Sequence, residues 1–306
     1  MPKVCYRNDC STGGAYGKTA ITVNAKMPLA YIPNFGNNTI SICTFGAGDS
    51  FNSCTAHSDS TFSNPESGVI NITGTILYIA NSTTTISICP INTNGSIKSC
   101  TISTGNGTFQ LPSQAIINSQ GNIMYVTNFG TNSISICPIN IDGSLGNCTV
   151  DFDPTISQPF GLAINPQDTF LYIATNINAL SICPITSSGS VASCTLATDP
   201  SFQNTGGVVI NQAGNLLYVS NFFLNNVSVC PIKSNGLIDT CSTISDPAFN
   251  GIATLSFNLT DTILYASNQD NTMAICPIGS NGLLAGPCTH SAGFSTFNGP
   301  GNVTIY

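Results

Sequence analysis

The most numerous reactive groups in this chain of 306 residues are its 14 cysteines, and they fall into seven local pairs. Six pairs share one spacing pattern: Cys43 with Cys54, Cys89 with Cys100, Cys137 with Cys148, Cys183 with Cys194, Cys230 with Cys241, and Cys276 with Cys288. The seventh is Cys5 with Cys10. Thiols this close either bridge or bind a metal. Metal binding is the weaker reading, because no Cys-x-x-Cys occurs and His57 and His290 are the only histidines. Between most partners sits a turn dipeptide: Asn94-Gly95, Asp142-Gly143, Ser188-Gly189, Asn235-Gly236 or Asn281-Gly282. Such steps tolerate positive φ and favour tight hairpins. A two-residue turn on Asn94-Gly95 sets position 89 opposite position 100, where Cα atoms lie about 4.5–5.5 Å apart, within disulfide reach. The expectation is seven local disulfides, six of them inside hairpins, formed in an oxidising compartment.

The remaining groups offer little chemistry. Asp153-Pro154, Asp199-Pro200 and Asp246-Pro247 recur, with Asp59 in a similar place. A ring of acids could hold a cation, but an Asx turn before a rigid proline explains the dipeptide better. Asn34, Asn81, Asn128, Asn221 and Asn268 recur as turn or hydrogen-bonding residues. Two histidines in unrelated loops are a thin basis for a triad, and no glycine-rich phosphate loop is present. Catalytic residues, metal and cofactors are therefore all expected to be absent. Sequons at Asn37, Asn94, Asn106, Asn147, Asn226, Asn258 and Asn302 are candidate glycan acceptors; those at Asn71 and Asn81 lie in or beside strands and suit this less.

The elements that position these residues repeat. Tyrosines recur at 31, 78, 125, 172, 218 and 265, each followed about a dozen residues later by text such as Ser-Ile-Cys-Pro-Ile. One unit reads as four short strands, a to d, rich in Ile, Val and Tyr and bounded by Gly, Asn, Asp or Pro. Four strands in a period of about 47 residues match a propeller blade. The fold expectation is an all-β propeller in a single domain, 1–306. Its blades span 13–58, 59–105, 106–152, 153–199, 200–246 and 247–292. A seventh, incomplete blade is split between 293–306 and 1–12. A six-bladed ring with extra edge strands is the alternative.

Tyr125-Val126-Thr127-Asn128 is the motif of the YVTN-family β-propeller repeats, and Tyr218-Val219-Ser220-Asn221 and Tyr78-Ile79-Ala80-Asn81 are close variants. The chain thus resembles that lactonase-like family over essentially its whole length. It departs from the family by carrying Cys-Pro in strand c and by Thr175 in place of the motif Asn. The resemblance implies that any lactone-opening activity would use acidic residues, often with a metal, around the central channel. The expected strand a segments are Thr19–Val23, Gly68–Asn71, Ala115–Ile117, Gly161–Ile164, Gly207–Ile210 and Ala253–Leu255, and none contains a titratable side chain.

Composition narrows the remaining classes. Charged residues are 6 % of the chain, hydrophobic residues are 42 %, and the net charge is −7. Six Lys and Arg cannot form a basic stripe, so nucleic acid is excluded as a partner. No apolar run is long enough to insert in a membrane, and the first residues have no apolar h-region. The leading expectation is a non-enzymatic, secreted or cell-surface structural protein. Its partners would be other copies of itself, assembled into filaments through the incomplete blade, or a cell-surface component. The alternatives are a lactonase-like hydrolase and a carbohydrate-binding propeller using loops such as Asn34-Phe35-Gly36-Asn37-Asn38.

Overall fold

Segments such as Ile76–Asn81 (ILYIAN) and Ile123–Asn128 (IMYVTN) form strands buried from their second residue to their last. Unbroken burial, without apolar–polar alternation, means that both faces of the sheet are covered. That is the situation of a blade packed between two others. The computed structural model describes residues 28–291 and 294–306. It contains six four-stranded antiparallel sheets. Five run in simple order along the chain. In the second blade strand a is Pro65–Ile70, b is Ile76–Asn81, c is Thr85–Pro90 and d is Thr101–Ser103. The corresponding inner strands of blades three to six are Pro112–Ile117, Pro159–Ile164, Thr205–Ile210 and Ile252–Phe257.

The first blade is composite. Leu29–Asn34, Thr39–Phe45 and Phe51–Ser58 supply strands b, c and d, and the C-terminal Thr304–Ile305 supplies strand a by pairing with Tyr31 and Ala30. This corrects the seven-bladed expectation. The C-terminal segment is indeed an innermost strand, but it completes the first blade, so a strand b for a seventh is not needed. Six tyrosines mark six strands b, and hence six blades. The incomplete blade on which filament assembly was to rest is absent among the described residues. The Cys5–Cys10 pair and the segment 19–23 lie outside them.

Each inter-blade seam is an apolar layer. Tyr31 and Ile40 of blade one meet Leu77 and Ile79 of blade two; Ala30 and Ile32 meet Tyr265, Met273 and Ile275 of blade six and close the ring. The repeated tyrosine also carries a polar bond across the seam. Tyr31, Tyr78, Tyr125, Tyr172 and Tyr218 donate their hydroxyls to the carbonyls of Gly95, Gly143, Gly189, Gly236 and Gly282 in the next blade's c–d turn. Only glycine suits that turn. Gly189 has φ +84°, and a Cβ there would stand 2.2 Å from Ile123 Cδ1. Replacing Tyr125 by Phe leaves the Gly189 carbonyl buried without its donor. Equilibrium urea unfolding of Tyr125→Phe should show a loss of about 1–3 kcal/mol with an unchanged m-value.

Six disulfides staple the c–d hairpins, with Cα separations of 4.0–4.3 Å. The turn differs from a two-residue reversal: Gly95 N–H donates to Asn92 O, and Ile91 bridges Ile97. A longer loop with glycine at positive φ after the turn still leaves 89 facing 100.

Candidate active site at the inner ring

Strand b ends opposite the start of strand a in every blade. The pairs are Asn34 with Pro300, Asn81 with Pro65, Asn128 with Pro112, Thr175 with Pro159, Asn221 with Thr205, and Asn268 with Ile252. In blades two to six the register then slips, so the next residue sits in a bulge. Bulges turn a side chain out of the regular ladder and recur beside active sites. By repeat register the six equivalent positions are Gly301, Glu66, Ser113, Phe160, Gly206 and Ala253, one from each blade, at one end of the channel; five lie on the innermost strands and Gly301 lies just before Thr304–Ile305.

Glu66 is the only glutamate in the chain. It keeps some contact with solvent, but the enclosing protein desolvates it, and burial pushes its pKa from 4.5 up to about 7. The two described lysines, Lys98 and Lys233, sit in c–d hairpins, where Lys233 pairs with Asp239 at 3.5 Å. His57 and His290 lie on outermost strands d.

The ring is tight. A Cβ on Gly301 would stand 2.1 Å from Glu66 O, and one on Gly206 would stand 2.8 Å from Ala253 O. Ser113 Oγ lies 3.1 Å from Thr127 Oγ1 and donates to Pro159 O at 3.0 Å. A cavity of about 190 Å³ opens beside the ring, lined by Phe160, Gly206 and Ala253 together with Phe222, Asn176 and Asn204. A resident divalent cation does not fit here: it needs several oxygen ligands, and the six positions offer one carboxylate and an engaged hydroxyl. Among the described residues no three His, Cys, Asp or Glu side chains cluster.

The acids recognised from the sequence are elsewhere and occupied. Asp59, Asp153 and Asp199 accept from Thr61, Thr155 and Ser201 N–H with one oxygen and from Cys100, Cys194 and Cys241 N–H with the other. Partial burial raises these carboxyls, but the hydrogen bonds together lower them below their ordinary value. Asp246 makes the same pair of bonds, to Ala248 and Cys288. These are turn residues that also anchor the half-cystine of a hairpin. The recurrent asparagines are buried clamps: Asn81 donates to Ser87 Oγ at 2.9 Å and accepts from Ser63 N–H. A larger cavity, about 480 Å³, lies at the opposite end of blades three and four, beside Asp168 and Gly189. Asp168 is spent there on the amide and hydroxyl of Ser119.

Among the sequons, Asn37, Asn94, Asn106 and Asn147 are exposed. Asn258 is buried and Asn302 is bonded through both amide atoms to Gly68.

No family model matches the chain, and no curated protein does. Solved structures do. The periplasmic gluconolactonase of Pseudomonas aeruginosa is 12 % identical over 87 % of this chain and 80 % of its own, with a TM-score of 0.64. A putative 6-phosphogluconolactonase of Bacteroides fragilis is 15 % identical over 92 % of this chain and 84 % of its own, also at 0.64. The nidogen/laminin complex contains a chain 13 % identical over 91 % of this one and 98 % of its own, at 0.67. The expectation of a non-enzyme is corrected on two grounds. Two of these three similar structures bear lactonase names, and the premise that the inner strands carry no titratable group fails at Glu66. What the likeness shows is the fold: a β-propeller similar to those of proteins named as lactonases.

Proposed function

We propose that this chain is an exported hydrolase of small cyclic esters, with Glu66 as its general base. The observation that carries the reading is the position of the only glutamate, on a bulge of an innermost strand, at one level with the cavity-lining Phe160, Gly206 and Ala253. Similarity to structures named gluconolactonase and 6-phosphogluconolactonase supports it, and six disulfides support an oxidising, extracytoplasmic location.

In the reaction the Glu66 carboxylate takes a proton from water as the water oxygen attacks the lactone carbonyl. The tetrahedral intermediate collapses, the ring C–O bond breaks, and Glu66-H returns its proton to the leaving alkoxide. The product is a hydroxy acid, which ionises in solution. A base with a pKa close to the working pH is well matched to this task, so the rate should rise with pH through about 7.

Hydrolysis of δ-valerolactone at constant pH tests the proposal. Glu66→Gln should lower turnover by about 10²-fold or more, and chelators should leave the rate unchanged. Turnover no faster than the spontaneous reaction, or turnover undiminished in Glu66→Gln, sinks it.

A further inference from the structure

We infer that the inner-ring site selects uncharged lactones carrying an apolar side chain, in preference to sugar lactones and their phosphates. This rests on the hydrolase reading and concerns what the cavity lined by the inner-ring positions Phe160, Gly206 and Ala253 accepts.

Three observations converge. First, the cavity is lined chiefly by the rings of Phe160 and Phe222, the methyl of Ala253 and the bare backbone of Gly206. Of its polar lining, the Asn204 amide is already bonded to Asn176 Oδ1, which leaves few groups to satisfy the hydroxyls of a sugar. A buried hydroxyl without a partner is costly. Second, among the described residues a phosphate finds no cationic side chain at the ring to pair with. Among the described residues the cationic side chains Lys98 and Lys233 lie in c–d hairpins, away from the ring, and a phosphate beside Glu66 would meet a like charge. Third, the same end of the propeller exposes apolar side chains on its b–c loops. Phe35, Ile177, Phe223 and Leu224 are each more than 40 % exposed, and Phe222 packs edge-to-face on Phe223 with centroids 5.5 Å apart. An apolar ligand therefore meets apolar surface from the loops inward to the ring.

The volume sets the size of the side chain. At about 30 Å³ per water-sized group, a cavity of about 190 Å³ accepts about six non-hydrogen groups. Each methylene buried should strengthen binding about three- to fourfold, until the cavity is full.

The test uses the purified chain and a series of δ-lactones with side chains of one to eight carbons, together with glucono-δ-lactone and its 6-phosphate. The expected result is a kcat/KM that climbs about three- to fourfold per methylene and levels near six carbons, with both sugar lactones at least about 100-fold below the plateau. Phe222→Ser should raise KM for the long-chain lactones and flatten the climb. The matching δ-lactams, which resist hydrolysis, read binding alone by calorimetry and should show the same chain-length dependence. Faster turnover of gluconolactone than of the alkyl lactones overturns the selectivity and leaves the hydrolase intact. Absence of turnover with chain-length-dependent lactam binding overturns the hydrolase and leaves the apolar site. Lactam affinities independent of chain length overturn the inference in either case.

Discussion

Reduction of the six hairpin disulfides is expected to unfold this propeller under conditions in which the oxidised protein is stable. Each bridge closes a loop with a sequence separation of 11 or 12 residues. The chain-entropy relation gives about 3 kcal/mol for a loop of that size. A domain's whole stability is about 5–15 kcal/mol; six bridges together, about 18 kcal/mol, exceed it, and still equal most of it, at about 9 kcal/mol, when native-like hairpins in the reduced chain reduce their worth by half. The geometry concentrates the effect. Cys43, Cys89, Cys137, Cys183, Cys230 and Cys276 are fully buried in the seams, so each bridge ties the outer strand to the core. The outer strands need that tie. Thr195–Ala197 is only three residues long and largely exposed. Thermal melts followed by circular dichroism, with and without a phosphine reductant, should show loss of the folded baseline, with thiol alkylation confirming reduction. Removing one pair, as Cys183→Ala with Cys194→Ala, should cost about 2–3 kcal/mol and increase proteolysis at 195–197 first. An unchanged melting temperature after complete reduction contradicts this account.

The repeat was legible because every blade buries the same strand b between the same neighbours, so Tyr78, Tyr125 and Tyr172 face one environment and read as one pattern. The hairpin bridges were legible because cysteine spacing and a turn dipeptide report the same local geometry. Blade number was not, because it depends on where the last strand docks. Thr304–Ile305 looks like any strand a, and only its pairing with Ala30 and Tyr31 assigns it to the first blade. Glu66 was missed for a related reason. The apolar run of that strand begins at Gly68, after the bulge, and hydrophobic patterning cannot see a residue that a bulge takes out of alternation. A signal did exist. Pro65, Pro112 and Pro159 open their strands at equivalent positions, which places Glu66, Ser113 and Phe160 in one row.

That same glutamate should make the protein less stable as the solution is brought from mildly acidic to neutral pH. The folded state holds the Glu66 proton with a pKa of about 7, against 4.5 for the ordinary side chain. Between those values the folded chain binds more protons than the unfolded chain, so stability falls as pH rises through that window. Below about 4.5 both states are protonated and above about 7 both are ionised, and this contribution is then flat. At 1.36 kcal/mol per pKa unit the difference corresponds to about 3 kcal/mol, reduced by water that reaches the carboxyl. The aspartates of the d–a loops act in the opposite sense. Asp59, Asp153 and Asp199 are held below the ordinary value of 3.8, so their stabilisation is present above that value and is lost as the solution is acidified below it. The two effects together place maximal stability near pH 4–5. Glu66→Gln keeps the shape of the neutral acid and removes the ionisation. Urea titrations from pH 4.5 to 8 should therefore give a declining midpoint for the native chain and a flat one for Glu66→Gln, with the variant more stable at pH 8. A midpoint that rises with pH in the native chain, or the same decline in both proteins, would show that Glu66 is not held neutral at the inner ring.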